Sequence, residues 1–598
     1  MRRPVSLRLF RLRFWRRLRK SRRQVEDISQ QAEQGLERHL FKRFGRLQSV
    51  RRFVAGWVFL LVLLISAVTI QNLLLNGYFQ TLRPVPGGIY NEGVLGTFRS
   101  ANPLYATSDV DTTVSRLLFA SLFTYDQHNQ LVGDLASDYS VDARGVTYTV
   151  HLKPNLTWQD GQPLTSADVV FTYQLIQNPD ARSPLQAGWQ GIQVAAPDDH
   201  TVTFTLPGPL ASFAYNMVNG IVPKHLLKDV LPANLRTADF NTIHPVGAGP
   251  FSWQNIQVSG NDPATAEEQI ELLPFVGYAG GKPKLQEFVV HAYASKDKLV
   301  DAFGSGQLNA AEGLEALPAK LQNKSDVQQH NLLFTAGTYT FFKTSEGVLA
   351  DPVVRQAMVR GSNVPAVIGK LGYQTQIVRE PVLRNQFNYN PLNAQADFDM
   401  PAAQKMLTDA GWIAGKDGIR HKDKTTLAFG LTAIDSAEYR MVTDELQKQW
   451  TKLGARVDVH LVSGEDFKTT LTGHDYDALL YGISIGADPD VFVYWHSSQA
   501  DIRATNRLNL SEYQSKTADA SLEAGRTRLD PALRIVKYRP FMEAWQQDAP
   551  ALGLYQPRLL YLTYGTVAGL DDHEVNTAAD RFTNVQNWQI RQARITNP

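Results

Sequence analysis

Hydrophobic and polar positions change their period several times along this 598-residue chain. From Phe53 to Leu75 the sequence runs FVAGWVFLLVLLISAVTIQNLLL, without a charge. At ~1.5 Å per residue such a run reaches ~35 Å as a helix, enough for the ~30 Å hydrocarbon core of a bilayer. Thr81 to Gly88 (TLRPVPGG) then predicts a short linker. Beyond it the period drops to two. Val146, Tyr148, Val150 and Leu152 alternate with polar residues, as do Val202, Phe204 and Leu206, and this predicts half-buried strands.

The second half mixes the two periods. Asp351-Pro352 supplies a capping residue and an N1 proline. Ser436 caps a helical stripe of Tyr439, Val442, Leu446, Trp450 and Leu453, which Gly454 ends. RVDVHLV (456–462) and YDALLYGISI (476–485) predict strands around a helix with an acidic start at Glu465-Asp466. Alternation at this spacing implies parallel strands with crossover helices, an α/β lobe. The length suggests about three or four domains.

Charge adds a direction. Residues 1–52 hold 17 Lys/Arg against 4 Asp/Glu, leaving 43 against 54 for the rest, so a net charge of +2 conceals a basic head and an acidic body. Arg51 and Arg52 flank the apolar run on one side, and the next charge beyond it is Arg83. Positive flanks stay cytoplasmic, which predicts a cell-membrane protein with one span, its N-terminus inside and its C-terminal body outside. A cleaved signal peptide fits poorly, because its basic region would be about 50 residues long. Arg2 to Arg23 interleaves arginine with Leu, Phe and Trp, and Val25, Ile28, Ala32, Leu36 and Leu40 recur at helical spacing. Beside a membrane span these features suit anionic lipid, at about 1 kcal/mol per basic residue, rather than nucleic acid. The absence of cysteine excludes disulfides, thiolate nucleophiles, Cys-ligated metals and a lipoprotein anchor.

TWQDGQPLTSADVVFTYQL (157–175) resembles a motif of the family 5 solute-binding proteins, the receptors of ABC importers for oligopeptides, dipeptides and nickel. Its form has local causes: Asp160-Gly161 makes a turn, and Thr165 with Asp168 starts a helix in the manner of a capping box. GTFRSANPL (96–104), LLFASLFTYD (117–126), GDLASDYSVDARGVTYTVHLKP (133–154), IVPKHLL (221–227), PVGAGPF (245–251), DPVVRQAMVRGSN (351–363) and AAQKMLTDAGW (402–412) are similar to family segments in the family's order.

The resemblance spans roughly residues 88–570 and implies an α/β clamp of the periplasmic-binding-protein type II fold, two lobes with an extra domain, behind one transmembrane helix. The expected division is a cytoplasmic segment 1–52, an anchor 53–75 and a linker 76–87. Lobe I would comprise 88–125, 245–338 and 547–598, the extra domain 126–244, and lobe II 339–546. Hinge crossings would fall near Thr338 and Ala549–Gly553. The partners implied are a peptide or other small solute and the permease and ATPase subunits of an importer, with no cofactor, no metal and no enzymatic activity.

In peptide-binding members an extended peptide pairs with a strand before an Asp/Glu-Pro dipeptide, here Tyr481, Gly482, Ile483, Ser484 and Ile485 ahead of Asp488-Pro489. Main-chain pairing supplies affinity without reading side chains. Two departures from the dipeptide receptors stand out. Ile485 replaces the aspartate that pairs with a ligand's α-amino group, and Ala433 replaces the arginine that pairs with its carboxylate. Unpaired buried charges are costly, so oligopeptides are expected rather than dipeptides. Asp488, Asp109 and the adjacent Thr107 are candidates for displaced contacts.

A different class is also open. Gly482-Ile-Ser484-Ile-Gly486 matches G-x-S-x-G, with Asp571, Asp572 and His573 downstream, as in a serine hydrolase; Asp488-Pro489 disfavours the helix such an elbow requires. A surface binding module without transport would carry the same clamp.

Overall fold

In the computed structural model, residues 51–260, 266–387, 393–504 and 507–596 are described. The basic head and its expected amphipathic helix lie outside them. The apolar run forms one helix, Arg51–Phe79, of which Arg51–Asn72 is long and apolar enough to cross a membrane. Its large apolar side chains from Phe53 to Ile70 are exposed. The segment 76–87, expected as a linker, is helical to Phe79 and extended over Gln80–Val85.

The body, Pro84–Arg591, is a separate compact unit built on three main sheets. The largest has seven strands in the order Val327–Leu333, Arg558–Tyr564, Ala310–Glu312, Ile89–Leu95, Glu287–Tyr293, Glu267–Pro274 and Phe251–Ser259. Ile89–Leu95 runs parallel to both neighbours, and its interior position explains its nearly continuous burial. Four antiparallel strands, Ala136–Val141, Thr147–Leu152, Thr201–Thr205 and Gln193–Asp198, form the sheet that the period-two segments predict. Tyr148, Val150, Val202 and Phe204 are buried on its inner face.

The third sheet has the order Arg456–Val462, Ala428–Ile434, Ala478–Ser484, Ala336–Phe342 and Ala551–Tyr555. The first three strands are parallel, with the helices Ala437–Leu453 and Gly464–Gly473 as crossovers, and the last two are antiparallel. Ser436 Oγ accepts the Tyr439 N–H at 3.1 Å, and Gly454 closes the helix at φ 101°, where a side chain would be strained. Asp351 likewise caps Pro352–Arg360 through the Val353 N–H at 2.9 Å.

The chain passes from the seven-stranded to the five-stranded sheet through Phe334–Thr335 and returns through Gln556–Pro557. The Phe334 N–H donates to the Pro557 carbonyl at 2.9 Å, tying the two crossings together. Thr338 and Ala549–Gly553, the expected crossings, lie a few residues deeper. Thr338 is paired with Gly482 inside the sheet, and Ala551–Tyr555 forms the sheet's edge rather than part of lobe I. The strand pairings continue past the point where the family pattern suggests a break.

The recognisable motif holds the extra sheet to its surroundings. Asp168 Oδ2 accepts the Thr165 N–H at 3.0 Å and Oδ1 accepts the Lys224 N–H at 2.9 Å, so one carboxylate starts a helix and anchors the IVPKHLL segment. Gln159 bonds Gly247 and the Phe251 carbonyl, at 2.8 and 2.6 Å. A Cβ at Gly247 would stand 1.9 Å from the Leu118 carbonyl oxygen, which is why PVGAGPF needs glycine there.

Candidate functional site

The end of the five-stranded sheet nearest the crossings carries the expected ligand strand. Ala478–Ser484 pairs with Ala336–Phe342 along its whole length, from Phe342↔Ala478 to Ala336↔Ser484. Its other pairing, to Ala428–Ile434, stops at Ala433↔Leu480. From Tyr481 onward the strand therefore has one neighbouring strand among the described residues, and a half-open edge is a template for an added strand. Tyrosine hydroxyls meet this stretch. A Cβ at Gly482 would lie 3.4 Å from Tyr439 Oη, and Tyr494 Oη donates to the Ser484 carbonyl at 2.8 Å. An entering peptide would exchange its own amides for such contacts.

Ile485 and Ala433 are core residues. Ile485 packs with Tyr339, Val378, Leu383 and Ile483, and Ala433 lies in the cluster of Leu446 and Trp450. The neighbouring acids are mostly engaged. Both oxygens of buried Asp488 accept from Arg534, at 2.6 and 2.8 Å. This pairing, desolvated as it is, holds the Arg534 guanidinium well above its ordinary range. Asp490 accepts from Arg526 at 3.1 Å and from Ser212 of the four-stranded-sheet region at 3.0 Å. Glu574 accepts from Asn385 at 3.0 Å and from Gln556 at 3.4 Å. Glu438 takes the hydroxyls of Tyr373 and Tyr555, at 3.0 and 2.8 Å, and desolvation with this carboxylate drives both tyrosines far up.

A cavity of about 350 Å³ joins these parts, lined by His128, Tyr215, Asn385, Asp488, Arg534 and Glu574 among others. It brings together segments from all three expected domains, and Asp488 is the predicted site residue that lines it. Thr107 and Asp109 lie elsewhere, exposed, beside Ser108, which caps the helix Asp109–Leu118. A second cavity, of about 260 Å³, begins at Pro103 and Ala106 and reaches Arg116 and Asp580. Arg534, Glu574 and Tyr494 carry no motif, and Tyr439 reads from the sequence only as part of a helical stripe, so none of the four was expected at the site.

The hydrolase constellation is not assembled. His573 Nδ1 and Nε2 meet the carbonyls of Asp571 and Asp580, at 2.8 and 3.3 Å, and Asp572 contacts His330 at 2.6 Å. No described histidine reaches Ser484, and the next helix, Phe492–Trp495, is too distant and too short for a nucleophile elbow. No group of three or more potential metal ligands occurs among the described residues.

Comparison with known proteins agrees with this architecture. Residues 130–503 match the model of the bacterial extracellular solute-binding proteins, family 5. The oligopeptide-binding protein AppA of Bacillus subtilis is 26% identical over 500 residues, covering 79% of this chain and 87% of the relative. Protein XP55 of Streptomyces lividans is 28% identical over 427 residues, 68% of this chain and 72% of the relative. Among solved structures, Bacillus subtilis AppA in complex with a nonapeptide superimposes with a TM-score of 0.65 at 23% identity, over 85% of this chain and all of that one. NikZ of Campylobacter jejuni, in complex with Ni(L-His), gives 0.68 at 22% identity, over 84% and 99%. With more than half its length matched to the family model and a three-sheet body superimposing on such structures, the chain belongs to the family 5 bacterial extracellular solute-binding proteins and has their type II periplasmic-binding-protein fold.

Proposed function

We propose that this protein is a membrane-anchored receptor of an ABC importer that captures oligopeptides outside the cell and passes them to a permease. The observation that carries the reading is the strand 481–485, paired on one side and open on the other beyond Leu480. An extended peptide added there gains main-chain hydrogen bonds whatever its side chains. The similarity to a receptor named for oligopeptides, and solved with a nonapeptide, supports the ligand class. The helix Arg51–Asn72, without a charge from Phe53 onward and behind a basic head, supports the anchor. Binding rather than hydrolysis is supported by His573, which bonds the Asp571 and Asp580 carbonyls rather than Ser484, and by the similarity to a protein named for binding.

Ligand length follows from Ile485 and Ala433. Enclosing a dipeptide desolvates two close, opposite charges, and neither residue pairs with one. A longer chain keeps its termini apart while its middle pairs with 481–485. Peptides of about four or more residues should bind more tightly than dipeptides, by about 2 kcal/mol for each terminus left unpaired. Titration calorimetry of the full-length protein in detergent, with an alanine series from two to eight residues, tests this. Submicromolar binding of dialanine would refute the length argument, and failure of every peptide would refute the peptide reading.

A further inference from the structure

The lobe built on the five-stranded sheet is one stretch of chain, joined to the rest of the body by the crossings Phe334–Thr335 and Gln556–Pro557. A junction of two segments permits rotation, so contacts away from it decide how firmly the parts stay together. Two such contacts reach this lobe from the domain of the four-stranded sheet. The first is polar. Ser212 Oγ donates to Asp490 Oδ2 at 3.0 Å, between residues far apart in the chain. The second is apolar. Carbons of Leu529 lie 3.7 Å from the position a Cβ on Gly145 would occupy, and Pro209 lies 3.3 Å from the same point.

Each side of these contacts is fixed by its own domain. Ser212 belongs to the short helix Ala211–Asn216, whose buried Phe213 meets the rings of Tyr148, Trp189 and Phe204 at 4.9, 5.5 and 5.7 Å. The Tyr148 hydroxyl donates to the Leu210 carbonyl at 2.7 Å and holds the start of that helix. In the facing lobe, the Ile485 and Gly486 N–H groups donate to the Thr335 carbonyl at 3.0 and 2.9 Å, so the loop carrying Asp490 leaves directly from the crossing. Arg526 donates to the same Asp490 oxygen at 3.1 Å, and its guanidinium lies 4.1 Å from the centre of the Phe492 ring. Ser212 therefore meets a carboxylate that its own lobe has already oriented and neutralised. Leu529 stands in the turn between the helices Lys516–Arg526 and Pro531–Asp548, half-covered. Gly145 stands in a turn held by Asp142, which accepts the N–H groups of Val146 and Thr147 at 2.7 and 2.9 Å.

We propose that the domain of the four-stranded sheet is the latch of the clamp, with Ser212 gripping Asp490 and the Gly145–Pro209 surface seating Leu529. The cavity of about 350 Å³ lies between the latched parts: Tyr215 of the Ser212 helix lines it together with Asp488 and Arg534. Every group in the latch belongs to the protein, so closure is stabilised before a ligand enters, and the ligand has less of the closing cost to supply. On opening, the Ser212 hydroxyl and the Asp490 carboxylate regain water. The latch therefore biases the equilibrium without locking it, and a hydrogen bond to a charged acceptor backed by a small apolar contact shifts it by about tenfold.

The absence of cysteine from the chain makes the test direct. Asp199→Cys in the four-stranded-sheet domain and Lys448→Cys in the facing lobe, both exposed, accept nitroxide labels. Pulsed electron spin resonance then reads the distance between them in the full-length protein in detergent, with no ligand added. The labelled parent should show one main distance, that of the structure. Adding Ser212→Ala and Leu529→Ala together should raise the population at other distances by about tenfold, whereas Ser212→Thr, which keeps the hydroxyl, should leave it close to the parent's. Three results would each overturn the proposal: a parent lying mainly away from the structure's distance, a rise of less than about threefold in the alanine variant, or Ser212→Thr opening as far as the alanine variant. None of them bears on the peptide reading, which the calorimetric length series tests separately.

Discussion

Glu312 offers a test of how burial governs this fold. It ends the strand Ala310–Glu312, between Ile89–Leu95 and Arg558–Tyr564, and is 2% exposed. One carboxylate oxygen has no hydrogen-bond partner. Desolvation pushes the carboxyl up from the ordinary 4.5 to about 7; Asp109 and Glu92 add to the rise, and Arg581 and the Gly313 N–H oppose it. Arg581 is already committed to Glu92 at 2.6 and 3.0 Å, so it does not neutralise a second acid.

The sign follows from linkage. Below about pH 4.5 the carboxyl is protonated in both folded and unfolded chains, and its contribution is fully present. Between 4.5 and about 7 the unfolded chain releases the proton while the folded one keeps it, so stability falls; above about 7 the loss is complete. At about 1.4 kcal/mol per pH unit, the loss is roughly 3 kcal/mol. Glu312→Gln keeps the shape and removes the titration. Urea unfolding of the full-length protein in detergent should place the variant level with wild type at pH 4.5 and roughly 3 kcal/mol above it at pH 8.5. Taking the difference at each pH cancels titrations that both proteins share. A gap that does not change with pH, or a wild type that is the more stable at pH 8.5, would show that Glu312 ionises freely in the fold and refute the reasoning.

Two further outcomes are expected. Arg534→Met leaves the buried Asp488 carboxylate with the Asp490 N–H but without its guanidinium and should cost about 3 kcal/mol in urea unfolding, with Asp488→Asn/Arg534→Met recovering part of the loss. Protease added to intact cells, with any outer membrane permeabilised, should remove the body and leave a small basic fragment containing residues 51–72; protection of the whole chain would reverse the assigned orientation.

Local signals were legible wherever the physics was local. Ser436, Asp351 and Asp168 cap the helices their spacing announces, Gly454 ends its helix in the left-handed region, and the period-two runs are the inner strands of the four-stranded sheet. The family motifs were legible for a related reason. Asp168 and Gly247 serve contacts so constrained that few other residues satisfy them, and the pattern survives as short words in the chain.

The site was less legible. Asp488 looked available to a ligand because its partner, Arg534, sits 46 residues away on a helix with no motif. The sheet crossings moved for the same reason: where a strand stops depends on which neighbour it pairs with, as Phe334 meets Pro557 across more than 200 residues of chain. The sequence by itself determined the membrane-length helix, the segregation of charge, the order of elements and the family, because each depends on neighbours along the chain. Only the tertiary structure decided which carboxylates are neutralised, which edge of strand 481–485 is open and where the lobes join. Those properties are set by burial and pairing between distant segments, and a buried charge takes its energy from whatever the fold places within a few ångströms of it.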